Sequence, residues 1–283
     1  MVSDSAATPG PLYRHGPASG AYSQPSRSLK ADKSSNSRIH FELMARPTDG
    51  PNRSMGLETK TPFPSTNPAA SRALSAFELL FGGFVVIGHN VFHVVPNEVI
   101  VLSALGLVSF RLRDGGWSSM GFRRPASWRR VFLIALVAAG VRILLGQFVV
   151  EPMTGFFWPA PTAPKLANEI AGNAPMALLA LLLVWTFAAF GEEIAYRGYL
   201  LTRAADIGRR STMAYWLGIV IVSILFGYGH YYKGPSGIID SGIAGLILGA
   251  AYMVAGRNLW ACIFTHGFID TFGVIDAFFG WSN

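Results

Sequence analysis

Long apolar segments repeat along the chain from about residue 73 onward, and they constrain its fold more than any other feature. Hydrophobic residues make up 51% of the sequence and charged residues only 14%, whereas a soluble domain carries about 25% charged residues. A helix of about 20 apolar residues crosses a bilayer core, and helices satisfy their own backbone polar groups there. The sequence therefore predicts an all-α, polytopic transmembrane helical bundle.

The apolar part of the chain, residues 73–283, divides into six or seven spans, and we expect six to eight helices. The second segment is short enough to be a tilted span or a re-entrant piece. With seven spans, the N-terminus and all the arginine-bearing connections fall on one side, which the positive-inside rule makes cytoplasmic. The segments lie at about 73–95, 99–110, 131–150, 175–205, 213–232, 238–255 and 259–279.

Residues 1–72 differ in composition from the rest of the chain. They are rich in proline and serine and show no apolar periodicity, so they cannot bury enough apolar surface to order themselves. We predict a disordered N-terminal tail, with a transit peptide as the less favoured alternative. The transmembrane domain then comprises residues 73–283.

The net charge of +7 is explained by arginine-bearing loops on the cytoplasmic side. We see no clustered basic surface with base-reading residues, so nucleic acid is not an expected partner; the lipid bilayer is. The single cysteine, Cys262, excludes an internal disulfide. Its apolar surroundings indicate a core position.

Two adjacent carboxylates, Glu192 and Glu193, follow an apolar run and precede Arg197. In an α-helix Glu193 and Arg197 share a face, so they can form an ion pair. Glu192 then points about 100° away, toward Tyr196. This phase predicts that one carboxylate is held structurally while the other is free to act.

Two more apolar segments carry polar groups at a spacing of four residues: Phe226 with His230, and His266 with Asp270. Each group alone has a structural interpretation, as an ion pair, a packing histidine or a helix–helix hydrogen bond. Ionisable groups within a membrane are costly, and three such sets on separate helices favour a functional site.

Water activation is the chemistry that these residue types suggest. A carboxylate shielded from bulk water can act as a general base. Two histidines and a carboxylate can also bind zinc and leave a position open for water, with Glu192, His230 and His266 as the tentative ligands. Without a metal, the histidines could stabilise an oxyanion. The residues alone leave both alternatives open.

Together the motifs resemble those of the CAAX prenyl protease and bacteriocin-processing (ABI) family of intramembrane metalloproteases. The pattern of that family is Glu-Glu-x-x-x-Arg, then Phe-x-x-x-His, then His-x-x-x-Asn or Asp, on successive transmembrane helices. Order and spacing match over roughly residues 75–280. Asp270 stands where the eukaryotic CAAX members more often have Asn. The residues that match the pattern are Glu192, Glu193, Arg197, Phe226, His230, His266 and Asp270.

The resemblance implies that Glu192 is the general base and that His230, His266 and Asp270 complete the catalytic centre. Glu193 would also belong to that centre. Arg197 and Phe226 would have supporting roles. We expect an intramembrane endopeptidase that cleaves a membrane-associated protein or peptide, with Zn²⁺ as a candidate cofactor. A non-catalytic scaffold or self-immunity protein of the same fold is the alternative, and a proton-coupled carrier is another. The expected location is a bacterial inner (plasma) membrane.

Other polar groups need an explanation too. His89 and His93 have a metal-like spacing near Glu98, but we favour an interfacial polar cluster over a metal site. Arg142, within the third segment, is expected to pair with a carboxylate. Gly245 and Gly249 form a small-xxx-small pair that predicts close helix packing.

A difference in depth separates two of the motifs. Glu192 lies about 13 residues from the turn that follows it, and His230 about 19 residues beyond that turn, which is an offset of roughly 9 Å along the helices. The motifs meet only if the helices tilt, the turn is asymmetric or a helix breaks. Gly227 and Gly229 would permit a break beside His230.

Overall fold

A computed structural model describes residues 68–159 and 165–281, and within these ranges the chain is helical and contains no strand. Positions 1–67 of the predicted disordered tail lie outside the described residues. The first helix begins at Pro68, within the last residues that we assigned to the tail. The all-α prediction is confirmed for the described part of the chain.

Ten α-helices, two π-helical segments and two 3₁₀ turns follow one another in the described ranges. The π segments, Gly146–Val150 and Val184–Leu200, join α3 to α4 and α6 to α7. The 3₁₀ turns are Trp117–Met120 and Tyr231–Lys233. The α-helices are α1 Pro68–Asn90, α2 Glu98–Arg113, α3 Trp128–Leu145, α4 Glu151–Phe157, α5 Lys165–Ile170, α6 Ala174–Leu183, α7 Leu201–Ile207, α8 Thr212–Tyr228, α9 Gly234–Val254 and α10 Leu259–Phe279.

Five helical stretches among the described residues are long and apolar enough to cross a membrane, which confirms a helical membrane protein. The apolar α8, at 17 residues, falls just short of that length, and α2 has only 16 residues. The second segment is therefore short, as the sequence predicts. The five stretches are Ser71–Asn90, Trp128–Phe157, Ala174–Ile207, Tyr231–Val254 and Leu259–Phe279.

The third segment does not end near residue 150 as predicted, because the helix continues to Phe157. Pro152 lacks a backbone N–H and would disrupt a regular α-helix. The π segment before it changes the pattern, since the Glu151 N–H donates to the Gly146 carbonyl five residues back. We attribute the continuation of the helix past Pro152 to this local rearrangement.

The predicted long helix from residue 175 to 205 is also present, but its central part was wrongly assigned. Val184–Leu200 is π-helical, and the Leu201 N–H donates to the Tyr196 carbonyl. An i→i+5 ladder changes which side chains share a face. The angle of about 100° between the Glu192 and Glu193 side chains, which assumes an α-helix, therefore does not apply to this segment.

Glycines let α8 and α9 approach closely, as the small-xxx-small pair predicts. A β-carbon at Gly245 would lie 2.9 Å from the Ser223 β-carbon, and one at Gly249 would lie 2.6 Å from Ile219 Cγ2. Any larger residue would push the helices apart. Arg142 of α3 forms the expected pair, with its Nη2 lying 2.6 Å from Asp240 Oδ2 of α9.

An ion-pair network that sequence reasoning missed joins α1, α2 and α7. Arg203 is 1% exposed and contacts three carboxylates at 2.8–3.0 Å: Glu78 of α1, Asp114 at the end of α2 and Asp206 of α7. Its guanidinium also lies 4.0 Å from the centroid of the Phe110 ring. Removing an arginine from water is costly, and the cost is offset only when all of its charged partners are in place.

We expect Arg203→Met to destabilise the protein by about 3 kcal/mol, because it leaves Glu78, Asp114 and Asp206 without this shared partner. Thermal unfolding in detergent measures the effect. Arg129→Met, at a position with no ion pair to a described residue, is the matched control and should leave the unfolding temperature nearly unchanged. Equal unfolding temperatures for the two variants would contradict a structural role for the network.

Candidate active site

Glu193 is the buried centre of the polar constellation. Its side chain is fully buried, and its Oε1 accepts a hydrogen bond from Arg197 Nη1 at 2.9 Å. The same oxygen lies 2.8 Å from His266 Nδ1 of α10. The predicted Glu193–Arg197 pair is thus confirmed, and it reaches a third residue that the sequence placed in another motif.

His266 lies between two carboxylates. Its Nδ1 faces Glu193, and its Nε2 is 3.4 Å from Asp270 Oδ2 one turn further along α10. The His266 residue is 7% exposed, and the Trp185 indole packs against Gly267 beside it. The ring is therefore held in one orientation by the π-helix and by its own helix.

Phe226 brings the second motif to the first. The Arg197 guanidinium lies 4.2 Å from the centroid of the Phe226 ring, a distance typical of a cation–π contact. The Tyr196 ring meets the same phenyl group edge-on, with centroids 5.0 Å apart. The Phe226 and His266 ring centroids are 6.0 Å apart. Phe226 therefore packs where all three motifs converge.

His230 reaches this centre because α8 ends before it. The helix stops at Tyr228, and His230 lies in the turn that precedes Tyr231–Lys233. A β-carbon at Gly229 would lie 2.8 Å from Tyr196 Oη, so only glycine lets the turn pack here without displacing that hydroxyl. The helix break expected at these glycines is confirmed.

The backbone sets the orientation of the His230 ring. Its Nδ1 lies 3.0 Å from the Phe226 carbonyl oxygen, and because a carbonyl only accepts, Nδ1 must carry the proton. In the neutral ring Nε2 then keeps a free lone pair. His230 can therefore accept a hydrogen bond from water at Nε2.

Glu192 differs from its neighbour in having no fixed partner. Its Oε2 is buried, and no described side chain or backbone group donates a hydrogen bond to it. The carboxylate is within electrostatic range of His266, Asp270 and Arg197. The structure thus separates the two glutamates by their partners, one held by two bonds and the other unpaired.

The Tyr196 hydroxyl is a polar group of this region that the sequence analysis did not assign. The residue is 1% exposed, and its hydroxyl has no hydrogen-bond partner among the described residues. It interacts electrostatically with both Glu192 and Glu98. Its place near Glu192 was visible in the helical spacing, but its burial depends on contacts with α8.

The described residues, as arranged, do not form a three-ligand metal site. No group of three or more His, Cys, Asp or Glu side chains in the described ranges could hold a metal ion. Of the three tentative zinc ligands, Glu192 and His230 keep free lone pairs, but both nitrogens of His266 face carboxylate oxygens. We therefore derive no reaction step through zinc.

The His89–His93 spacing does not make a shared site either. His89 lies 3.1 Å from Glu98 and 3.0 Å from the Val95 carbonyl oxygen, which agrees with an interfacial polar cluster. His93 lies beyond the end of α1, with a positive φ of 55°. The two histidines therefore do not lie on one face of a continuous helix, as a shared metal site at this spacing would require.

A cavity of about 430 Å³ opens beside the His230 turn. The Tyr232 ring, which forms part of its wall, lies with its centroid 6.1 Å from that of His230. The cavity therefore adjoins His230 through the Tyr232 ring. Asn90, His93, Tyr231, Gly234, Pro235 and Ile238 also line it.

Comparison with models of protein families gives a match that covers the motifs. Residues 174–272 match the family model described as Rce1-like, type II CAAX prenyl endopeptidase. This range contains all three motifs and both helices that flank the His230 turn, so the resemblance drawn from the motifs is confirmed for this part of the chain. No curated protein sequence and no solved structure matched the chain.

The different partners of the two glutamates predict different effects on stability. Glu193→Gln weakens the contacts with Arg197 and His266 and leaves buried charge unpaired, so we expect a loss of about 3 kcal/mol. Glu192→Gln replaces a half-buried, unpaired carboxylate with a neutral isostere, so the change should stay within about 1 kcal/mol.

Thermal unfolding of the two variants in the same detergent measures this difference, and each variant is the matched control of the other. The reverse order of stability would show that Glu192, rather than Glu193, is the structurally held carboxylate.

Proposed function

We propose that the protein is an intramembrane endopeptidase that hydrolyses a peptide bond in a membrane-associated protein or peptide, using water activated by Glu192. The observation that carries this proposal is the half-buried Glu192 carboxylate, whose Oε2 is buried without a hydrogen-bond partner among the described residues, within electrostatic range of His266 and Asp270. All three residues lie within the segment that matches a protease family. The protein itself is an integral membrane protein with helices of spanning length.

The first step assigned to this centre is attack by water. The Glu192 carboxylate takes a proton from the water, while His230 Nε2 accepts a second hydrogen bond that orients it. The water oxygen bonds to the carbonyl carbon of the scissile peptide, and the π electrons of the carbonyl move to its oxygen. A tetrahedral oxyanion results.

The second step is collapse of that intermediate. The carbonyl re-forms, the C–N bond breaks, and the proton held by Glu192 passes to the leaving nitrogen, so that the carboxylate is regenerated. Donors near a developing oxyanion lower the barrier, and the unpartnered Tyr196 hydroxyl is one candidate donor.

Glu193, Arg197 and Asp270 would act mainly by positioning. Glu193 and Asp270 hold the two nitrogens of His266, and Arg197 holds Glu193 while packing on Phe226. Small displacements of a catalytic group cost large factors in rate. A rigid, bonded set around His266 is what such a centre requires.

We expect Glu192→Gln and His230→Ala each to lower peptide hydrolysis by at least about 100-fold, because each removes an acceptor for the attacking water. The assay uses purified full-length protein in lipid vesicles with a library of membrane-anchored peptides. Glu151→Gln, an exposed carboxylate outside the site, is the matched control and should retain activity.

Persistence of cleavage in both variants would show that the centre is elsewhere. Absence of cleavage by the wild-type protein on every peptide would favour the alternative, a non-catalytic scaffold or self-immunity protein of the same fold. We place the protein in a bacterial inner membrane as part of this proposal.

Zinc dependence has its own test, because His266 would have to turn away from a carboxylate to become a ligand. Elemental analysis of the purified protein, with hydrolysis assayed before and after chelation, measures it. If hydrolysis proceeds as derived above, chelation leaves the rate unchanged. Stoichiometric zinc, with activity lost on chelation and restored by zinc, would instead require rearrangement around His266.

A further inference from the structure

The connections that carry arginines meet at one end of the bundle. The Leu259 N–H donates to the Gly121 carbonyl at 2.9 Å, and Asn258 Nδ2 donates to the Arg123 carbonyl at 3.1 Å. These bonds dock the α2–α3 loop on the α9–α10 turn. Arg257 of that turn lies 5.1 Å from the Tyr215 ring centroid at the start of α8. These contacts bring the α2–α3 loop, the α9–α10 turn and the start of α8 to one end of the bundle.

The carboxylates of this end are already paired. Glu78, Asp114 and Asp206 form ion pairs with arginines of the network that joins α1, α2 and α7. The other arginines of these connections form no ion pair with any described carboxylate, and together they define the arginine face. Its members are Arg111, Arg123, Arg124, Arg129, Arg130, Arg209 and Arg257.

Three members of the arginine face are anchored without being neutralised, and one of them is Arg111, whose Nη1 donates to the Gly115 carbonyl at 3.3 Å. Arg123 Nη2 donates to the Gly256 carbonyl at 3.0 Å, and Arg130 Nη2 donates to the Val254 carbonyl at 3.3 Å. A guanidinium has five N–H donors in a fixed fork that matches phosphate oxygens. Each anchored group therefore keeps donors available while the carbonyl restricts its motion.

Aromatic residues place this face at the depth of lipid headgroups. Trp117 is 44% exposed and Trp128 is 43% exposed, as residues of an interfacial belt are. The Trp128 ring packs on Trp260 at the start of α10, with centroids 5.7 Å apart. The exposed Phe132 follows one turn deeper on α3.

We propose that the arginine face binds the phosphodiester headgroups of anionic phospholipids in the adjoining leaflet. The positive-inside rule accounts for the side on which arginines lie, and mobile arginines would satisfy it equally well. The anchored guanidiniums, the absence of a described counter-charge and the flanking tryptophans together favour a binding surface. This inference does not depend on the proposed protease activity.

The test is lipid retention by the full-length protein. Protein is equilibrated in detergent micelles containing equal amounts of phosphatidylglycerol and phosphatidylcholine, and the lipid that remains after gel filtration is quantified by mass spectrometry. We expect about ten-fold enrichment of phosphatidylglycerol at low salt. The enrichment should decrease as salt screens the exposed charges.

The double variant Arg124→Gln/Arg129→Gln should lose most of the enrichment, because both side chains belong to the face and make no ion pair with a described residue. Arg124→Lys/Arg129→Lys keeps the charge and should retain part of it. Lys233→Gln removes a positive charge at the other end of α9, about 30 Å away, and should change nothing.

Equal retention of the two lipids by the wild-type protein would overturn the proposal. So would an unchanged enrichment in a Gln double variant that unfolds at the wild-type temperature. Equal losses in that variant and in Lys233→Gln would reduce the effect to net charge and would also overturn a defined surface.

Discussion

The contacts of the Glu193 carboxylate with Arg197 and His266 are the interactions on which the rest of the centre depends. The carboxylate is fully buried, and one of its oxygens contacts both Arg197 and His266. A carboxylate withdrawn from water is tolerated only when such partners are fixed around it. Through them the π-helix is tied to α10 by His266 and to α8 by Phe226, which packs under Arg197. These contacts of Glu193, Arg197 and His266 hold the three motifs in their relative positions.

The helical irregularities allow that arrangement. A regular α-helix from Ala174 to Ile207 would present side chains on a repeat different from that of the i→i+5 ladder between Val184 and Leu200. The termination of α8 at Tyr228 then places His230 in a turn rather than deeper along a helix. Departures from regular helices are typical of functional sites in membrane proteins, where neighbouring helices satisfy the freed backbone groups.

The protein has two regions of buried charge, one at an end of the bundle and one inside it. The network around Arg203 uses the carboxylates of its end of the molecule, and the connecting loops keep arginines without such partners. Within the bundle, the polar centre brings Arg197 and the imidazoles together with the carboxylates of Glu192, Glu193 and Asp270. Buried charge in both regions is paired except at Glu192, whose Oε2 receives no hydrogen bond from a described residue, and charge at the membrane interface is available to lipid headgroups.

The sequence by itself determined the all-α membrane class, the approximate segments and the pairing of Glu193 with Arg197, because apolar length and helical spacing act locally. It also indicated the break at Gly227–Gly229 from the depth difference. Only the tertiary structure decided the π-helical repeat, the partners of Arg203 and the burial of the Tyr196 hydroxyl. These depend on contacts between segments distant in sequence, and local periodicity carries no information about such contacts.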